Sequence, residues 1–139
     1  MNKIKSWRSK SIRDSMKIAK ELSQIFKNGH IVFLEGTLGS GKTFLVQNIC
    51  ANWNVQDEVT SPTFTIIQNY SADYAVNHID LYRIEERKEL DQLGWEDMLY
   101  SDAVTFVEWP EKIENYVDHY YKILINMNDN SRQIELYEK

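Results

Sequence analysis

The residues best equipped for chemistry form one continuous run, Gly36-Thr37-Leu38-Gly39-Ser40-Gly41-Lys42-Thr43. The spacing is that of a phosphate-binding loop: glycine, four residues, glycine, lysine and a hydroxyl residue. Gly36, Gly39 and Gly41 can take positive φ and bring bare backbone N–H groups close to an anion. A helix beginning at the lysine would aim its unpaired N–H groups and positive dipole end at the same anion. The Lys42 ammonium then serves the outer phosphates, and the Thr43 hydroxyl is a ligand for Mg²⁺. The run therefore predicts a site for a nucleoside triphosphate.

Two carboxylates stand where such a site needs them. Glu108 closes the apolar run Ala103 to Val107, the pattern of a buried strand whose last residue reaches a metal ion directly or through water. The plainer reading is a solvated acid at a strand end. Asp80 closes the run Tyr74 to Ile79 and could hold a metal-bound water or orient an attacking one; capping the turn at Leu81-Tyr82-Arg83 is the alternative. Ser61-Pro62-Thr63-Phe64 falls between the loop's helix and the next strand, where switch loops occur, and the Thr63 hydroxyl could sense a terminal phosphate. Trp109, beside Glu108, could cover a nucleotide or belong to the core. Arg132 shares a strand face with Ile134 and Leu136 next to a turn, a rim position from which it could stack on a base.

Other patterns carry no site. Asp91-Gln92-Leu93-Gly94 matches a guanine-nucleotide motif but lies in a charged helical stretch, with no N-K-x-D following. His30, His78 and His119 are scattered and, with a single cysteine, make no zinc site. Cys50 reads as a buried core residue in a reducing compartment.

The elements that must position these groups are legible from periodicity. Met1 to Trp7 reads as an edge strand. Ser11 caps a helix, with Asp14 three residues on, and Ile12, Met16, Ala19, Leu22 and Phe26 form one apolar stripe. Asn28-Gly29 stops it. Ile31 to Leu34 is the strand before the loop, and Phe44 to Trp53 the helix after it, with Leu45, Val46, Ile49, Cys50 and Trp53 buried. Asn54 to Thr60 is a polar surface connection. Phe64 to Tyr70 and Tyr74 to Ile79 make a hairpin around Ser71-Ala72-Asp73. Glu85 to Leu93 is a charged helix closed by Gly94. Pro110 opens a short helix through Tyr116. Tyr121 to Met127 and a strand containing Ile134 and Leu136 follow, joined by a turn at Asn128 to Ser131. Alternating strands and helices predict an α/β fold, a P-loop NTPase-like three-layer sandwich. Its central sheet should be mixed and mostly parallel, with antiparallel hairpin additions and flanking helices, and ligands at the carboxyl ends of the parallel strands.

Composition sets the outer limits. The 139 residues are expected to form one domain, 1–139, burying about two-thirds of the surface exposed by the unfolded chain. A formal net charge of −5 with no basic run argues against gripping nucleic acid by counterion release. No apolar stretch approaches the roughly 20 residues of a membrane span, and no secretory leader is visible at the N-terminus. A cytoplasmic location is the expectation.

Five blocks of the chain, in this order and at these separations, resemble the bacterial TsaE (formerly YjeE) family. They are the loop itself, Ser61-Pro62-Thr63-Phe64, His78-Ile79-Asp80-Leu81-Tyr82-Arg83, Leu93-Gly94 with Glu96-Asp97, and Val107-Glu108-Trp109-Pro110-Glu111. The resemblance implies a small P-loop ATPase, weak alone, that serves tRNA threonylcarbamoyladenosine biosynthesis with a TsaB–TsaD pair. That pair would transfer a threonylcarbamoyl group to adenosine 37 of tRNAs reading codons that begin with A, so tRNA would be met only through the complex. By position, Leu38, Gly39, Ser40, Gly41, Lys42 and Thr43 would hold the phosphates of ATP or ADP. Thr43 and Glu108 would hold Mg²⁺, with Asp80 in the metal and water shell. Thr63 would belong to the switch loop and Trp109 to a nucleotide-linked Glu-Trp motif; Ser11 and Arg132 would be nucleotide contacts. Lys42, Asp80 and Glu108 are the expected catalytic groups. The chain departs from the family where Thr37, Ser40 and Phe44 stand for the usual Asp, Ala and a second Thr; Phe44 removes a hydroxyl near the helix start. No arginine finger is assignable, Arg83 being the nearby candidate. Two other classes compete: a small-molecule P-loop kinase, for which no acceptor pocket or arginine-rich lid is visible, and a non-catalytic nucleotide-dependent scaffold.

Overall fold

The computed structural model describes residues 1–56, 59 and 67–139. Thr63, the rest of the 61–64 quartet and the expected start of the hairpin at 64–66 lie outside them. Seven strands form one sheet: β1 (Asn2–Ser9), β2 (Ile31–Glu35), β3 (Ile67–Ser71), β4 (Ala75–Asp80), β5 (Val104–Glu108), β6 (Tyr121–Met127) and β7 (Arg132–Glu138), in the order β1-β7-β6-β2-β5-β4-β3. The central strands β6, β2, β5 and β4 run parallel. β7 and β1 on one side and β3 on the other add antiparallel edges. The helices are α1 (Ile12–Ser23), α2 (Lys42–Ala51), α3 (Arg87–Asp91) and α4 (Trp95–Leu99).

The alternation of side chains along each strand divides the core in two. Val32 and Leu34 of β2, with Val104 and Phe106 of β5 and Ile123 and Ile125 of β6, pack against α1 and α2. Ile31, Phe33, Ile79 and Val107 face the other way, against Leu90, Trp95 and Leu99 of the short helices and Ile113, Val117 and Tyr120. β2 and β5, at the centre of the sheet, are buried on both faces, which is why they read as largely apolar runs.

Helix α1 begins as its cap residues dictate. Ser11 sits in extended backbone and its Oγ accepts the Asp14 N–H at 3.1 Å, while the Lys10 N–H donates to Asp14 Oδ2 at 2.9 Å. Its buried face differs from the expected stripe. Ser15, Ile18, Ala19, Leu22 and Ser23 are inside, whereas Ile12 is 70% and Met16 50% exposed. The helix ends at Ser23, so Phe26 reaches the core from the connection beyond it. The buried serines are satisfied by hydrogen bonds, Ser15 Oγ pairing with Ser9 Oγ at 2.6 Å and Ser23 Oγ donating to the Lys20 carbonyl at 2.6 Å, which an apolar count does not reveal. Trp53, just past α2, donates its indole N–H to the Ser23 carbonyl at 3.0 Å and ties the two helix ends together.

Three further elements differ from expectation. The charged segment forms only α3, and Gly94, at φ +70°, starts a second short helix, α4. Pro110–Lys112 and Glu114–Tyr116 are two 3₁₀ turns rather than one helix. In the connection after α2, Val59 is buried and its carbonyl accepts the Gln47 amide at 2.6 Å. Among the described residues, no helix is long and apolar enough to cross a membrane.

Candidate nucleotide-binding site

The sheet delivers the candidate residues from strands that are distant in sequence. β2 lies between β5 and β6, and β5 pairs with β4 in a register that sets Glu108 opposite Asp80. Both acids are 3% exposed. The loop leaves β2 at the same end of the sheet and turns into α2. Leu38, Gly39, Ser40, Gly41, Lys42, Thr43, Phe44, Asp80, Glu108 and Trp109 line one cavity of about 280 Å³.

Two glycines in the loop bend it and a third makes room. Gly39 and Gly41 adopt φ +77° and +105°, a region costly for other residues. Gly36 does not use that conformational freedom; its role is space. A Cβ there would stand 2.7 Å from Ser40 Oγ and 2.9 Å from the Ile125 carbonyl oxygen, distances no side chain tolerates.

Lys42 Nζ donates to the Gly36 carbonyl at 2.6 Å and the Thr37 carbonyl at 3.2 Å, and lies 4.2 Å from the centroid of the Trp109 ring. Burial pushes its ammonium below the ordinary lysine range, and Glu108, Asp80 and Glu111 pull in the opposite direction. Trp109 adopts φ +57°, uncommon for a bulky residue, and its ring also packs on Tyr82 at 4.9 Å. Backbone strain of this kind costs on the order of 1–3 kcal/mol and persists where the surroundings enforce it. Trp109 thus covers the lysine rather than filling the core.

The Thr43 hydroxyl stands 3.3 Å from Glu108 Oε2 and 3.5 Å from Oε1. Asp80 Oδ1 accepts the Tyr82 N–H at 2.8 Å, so this acid supports the local turn while also lining the cavity. A hydroxyl and two carboxylates at the base of a phosphate-sized cavity are hard oxygen donors, the set that suits Mg²⁺. Among the described residues, no group of three or more His, Cys, Asp or Glu side chains is placed to hold a metal ion. A magnesium ion needs only one or two protein carboxylates, since water and phosphate fill its remaining positions.

A second cavity, of about 260 Å³, adjoins the first and shares Ser40, Gly41 and Phe44 with it. Ile12, Ser15, Leu45, Ile125, Ile134 and Arg132 complete its largely apolar wall. Arg132 is half-buried beside the loop: its Nε is buried, has no hydrogen-bond partner among the described residues, and lies 3.6 Å from the position of a Cβ on Gly41. Ser40 Oγ is likewise buried and unpartnered among the described residues. Two unmet donors where the cavities join are what a polar ligand spanning both would satisfy. Ser11 stands at the start of α1 with its hydroxyl engaged in the cap, and does not line either cavity.

Sequence reasoning did not single out Ser15, Phe44 or Ile125 as cavity walls. Phe44 was visible only as a missing hydroxyl; it lines both cavities. His78 also carried no assigned role, yet its Nε2 is 2.7 Å from Glu108 Oε2. The Asp91-Gln92-Leu93-Gly94 run is set aside by the fold: Asp91 ends α3 and its Oδ1 accepts the Trp95 indole N–H at 3.1 Å.

A parallel core, a glycine loop after its central strand and two carboxylates at neighbouring strand ends define a P-loop NTPase-like protein. The family model for "Threonylcarbamoyl adenosine biosynthesis protein TsaE" matches residues 9–134, and the chain belongs to that family. Relatives named tRNA threonylcarbamoyladenosine biosynthesis protein TsaE include one from Aquifex aeolicus, 33% identical over 93% of this chain and 92% of its own. Another, from Haemophilus influenzae, is 33% identical over 87% of this chain and 81% of its own. The crystal structure of YdiB from Bacillus subtilis superposes with a TM-score of 0.79 at 27% identity, covering 95% of this chain and 83% of that one.

Proposed function

We propose that residues 1–139 act as a single Mg²⁺-dependent ATPase domain in tRNA threonylcarbamoyladenosine biosynthesis, working in the cytoplasm with a TsaB–TsaD pair. The observation that carries this reading is the convergence of Lys42, Thr43, Asp80 and Glu108 on one cavity at the carboxyl ends of β2, β4 and β5. Family membership supplies the pathway.

ATP would lie across both cavities, its phosphates in the loop and its base against Phe44, Ile125 and Ile134. Backbone N–H groups from Gly39 to Thr43 hold the phosphate oxygens. Lys42 exchanges its two loop carbonyls for phosphate oxygens, and Trp109 shields that contact from water. Arg132 and Ser40 offer their unmet donors where the two cavities meet. Thr43 and Glu108 would hold Mg²⁺, with Asp80 beside them; the ion, when bound, neutralises charge on the phosphates. Glu108 or Asp80 orients the attacking water.

The site is short of positive charge. Lys42 is the one cation among the described residues lining the phosphate cavity. An added arginine is worth about 10³–10⁵ in rate in related chemistry, so slow hydrolysis by the chain alone and acceleration by its partners follow. tRNA needs no direct contact here, consistent with the net charge of −5.

The test is steady-state ATP hydrolysis by the chain alone and with its host's TsaB–TsaD pair, with Lys42→Ala and Glu108→Ala as controls. Stimulation by the pair, abolished by both substitutions, is the expected outcome. Many turnovers per second without partners would overturn the partner-completed site. Tight ATP binding without stimulation would favour a scaffold.

A further inference from the structure

His78 is fully buried on β4, two residues before Asp80 and opposite Phe106 of β5. Since Asp80 is opposite Glu108, His78 and Glu108 are diagonal neighbours on the face of the sheet that meets α2. Such diagonal pairs are within reach of long side chains. Here they form a hydrogen bond, His78 Nε2 to Glu108 Oε2 at 2.7 Å. The other ring nitrogen, Nδ1, is buried and has no hydrogen-bond partner among the described residues. The tautomer with its proton on Nε2 is therefore the one its surroundings satisfy. A ring held only for packing would be better made apolar, because a buried unpaired nitrogen costs free energy. Among the described residues, the bond to Glu108 is the one this imidazole makes.

From this geometry we propose that His78 is a positioning residue, which fixes the Glu108 carboxylate in the orientation that binds Mg²⁺ together with Thr43. The inference rests on the nucleotide-site reading above and adds to it a residue that touches neither nucleotide nor metal. Glu108 has rotatable torsions that would otherwise have to be frozen when the ion arrives. One N–H bond to Oε2 freezes them beforehand and leaves Oε1 and the remaining lone pairs available. A lysine or arginine at this position would instead compete with the cation for the carboxylate. Partners that orient a metal-binding side chain typically change metal affinity by about 10- to 100-fold when removed.

The experiment measures ADP affinity by calorimetry in EDTA and across a Mg²⁺ titration, in the wild-type chain and in His78→Gln, His78→Asn and His78→Phe. Glutamine places an amide N–H near the position of Nε2; asparagine is too short and phenylalanine has no donor. His78→Asn and His78→Phe should raise the Mg²⁺ concentration for half-maximal effect about 10- to 100-fold, leave affinity in EDTA within about twofold, and be rescued by His78→Gln. An unchanged Mg²⁺ midpoint, equal losses with and without metal, or glutamine no better than asparagine would overturn the proposal. Should the asparagine and phenylalanine variants not fold, nitrogen-15 spectra of the wild-type imidazoles decide: protonation on Nε2 supports the role and on Nδ1 overturns it. Wild-type protein that binds ADP identically with and without Mg²⁺ would instead overturn the metal reading of the site itself, and this inference with it.

Discussion

Thr43 Oγ1 stands 3.3 Å from Glu108 Oε2, although the two residues are 65 apart in the chain. The first residues of α2 and the last of β5 meet because β2 and β5 are parallel neighbours, with Leu34 in register with Glu108. This contact joins the phosphate loop to the acid that would complete a metal site. Glu108→Gln, which keeps size and removes charge, should lower ATP turnover about 10²–10³-fold, the usual effect of losing one preorganised electrostatic group. ADP affinity in EDTA should change little. Phosphate release and calorimetry on one preparation check both halves.

Lys42 makes binding depend on pH in a defined direction. Burial lowers its pKa, so it loses its proton at a lower pH than an exposed lysine. The charged form attracts phosphate, and affinity for ATP must therefore fall as pH rises through the lowered pKa. Titration of affinity between neutral and alkaline pH should show this limb in the wild type. In Lys42→Ala the affinity should be weak and the limb absent.

Arg132 tests whether the apolar cavity belongs to the nucleotide site. Its buried Nε lacks a partner among the described residues and lies beside Gly41. A charge-assisted hydrogen bond to a ligand is worth about 1.5–3 kcal/mol, so Arg132→Ala should weaken ADP binding by roughly tenfold or more. Inorganic pyrophosphate, which needs only the phosphate cavity, should lose less. Equal losses would place Arg132 on the phosphates instead of at the junction.

Cys50 should be inert in the folded chain. Burial pushes its thiol up to about 12. Iodoacetamide at pH 8 should leave the native protein unmodified and label it on unfolding in urea. The rate with and without denaturant, followed by intact mass, gives the answer.

The rotated face of α1 makes a stability prediction. Leu22 is fully buried and Met16 is 50% exposed, although both belong to the apparent sequence stripe. Leu22→Ala should cost about 2–5 kcal/mol and Met16→Ser less than about 0.5 kcal/mol. Urea denaturation distinguishes this from a stripe in which both are buried, which would make both substitutions costly.

Local pattern was enough for much of the protein. The glycine spacing, the lysine and the hydroxyl defined a phosphate loop because loop and helix-start chemistry depend on neighbours in sequence. The continuous runs of β2 and β5 showed buried parallel strands, and the cap at Ser11 marked a helix start, since capping is also local. Glu108 and Asp80 could be nominated because a carboxylate closing a buried strand must meet water, a hydrogen-bond donor or a cation to stay charged. The tertiary structure decided what depends on register and packing. Only strand pairing sets Asp80 beside Glu108 and places His78 on the diagonal. Only the approach of β7 to the loop carries Arg132 over Gly41, and only the packing of α1 turns Ile12 and Met16 outward. Phe44 comes to line both cavities through the same packing. Contacts between residues far apart in sequence leave no periodic trace in any one segment, so the chain announced its loop and the fold assembled its site.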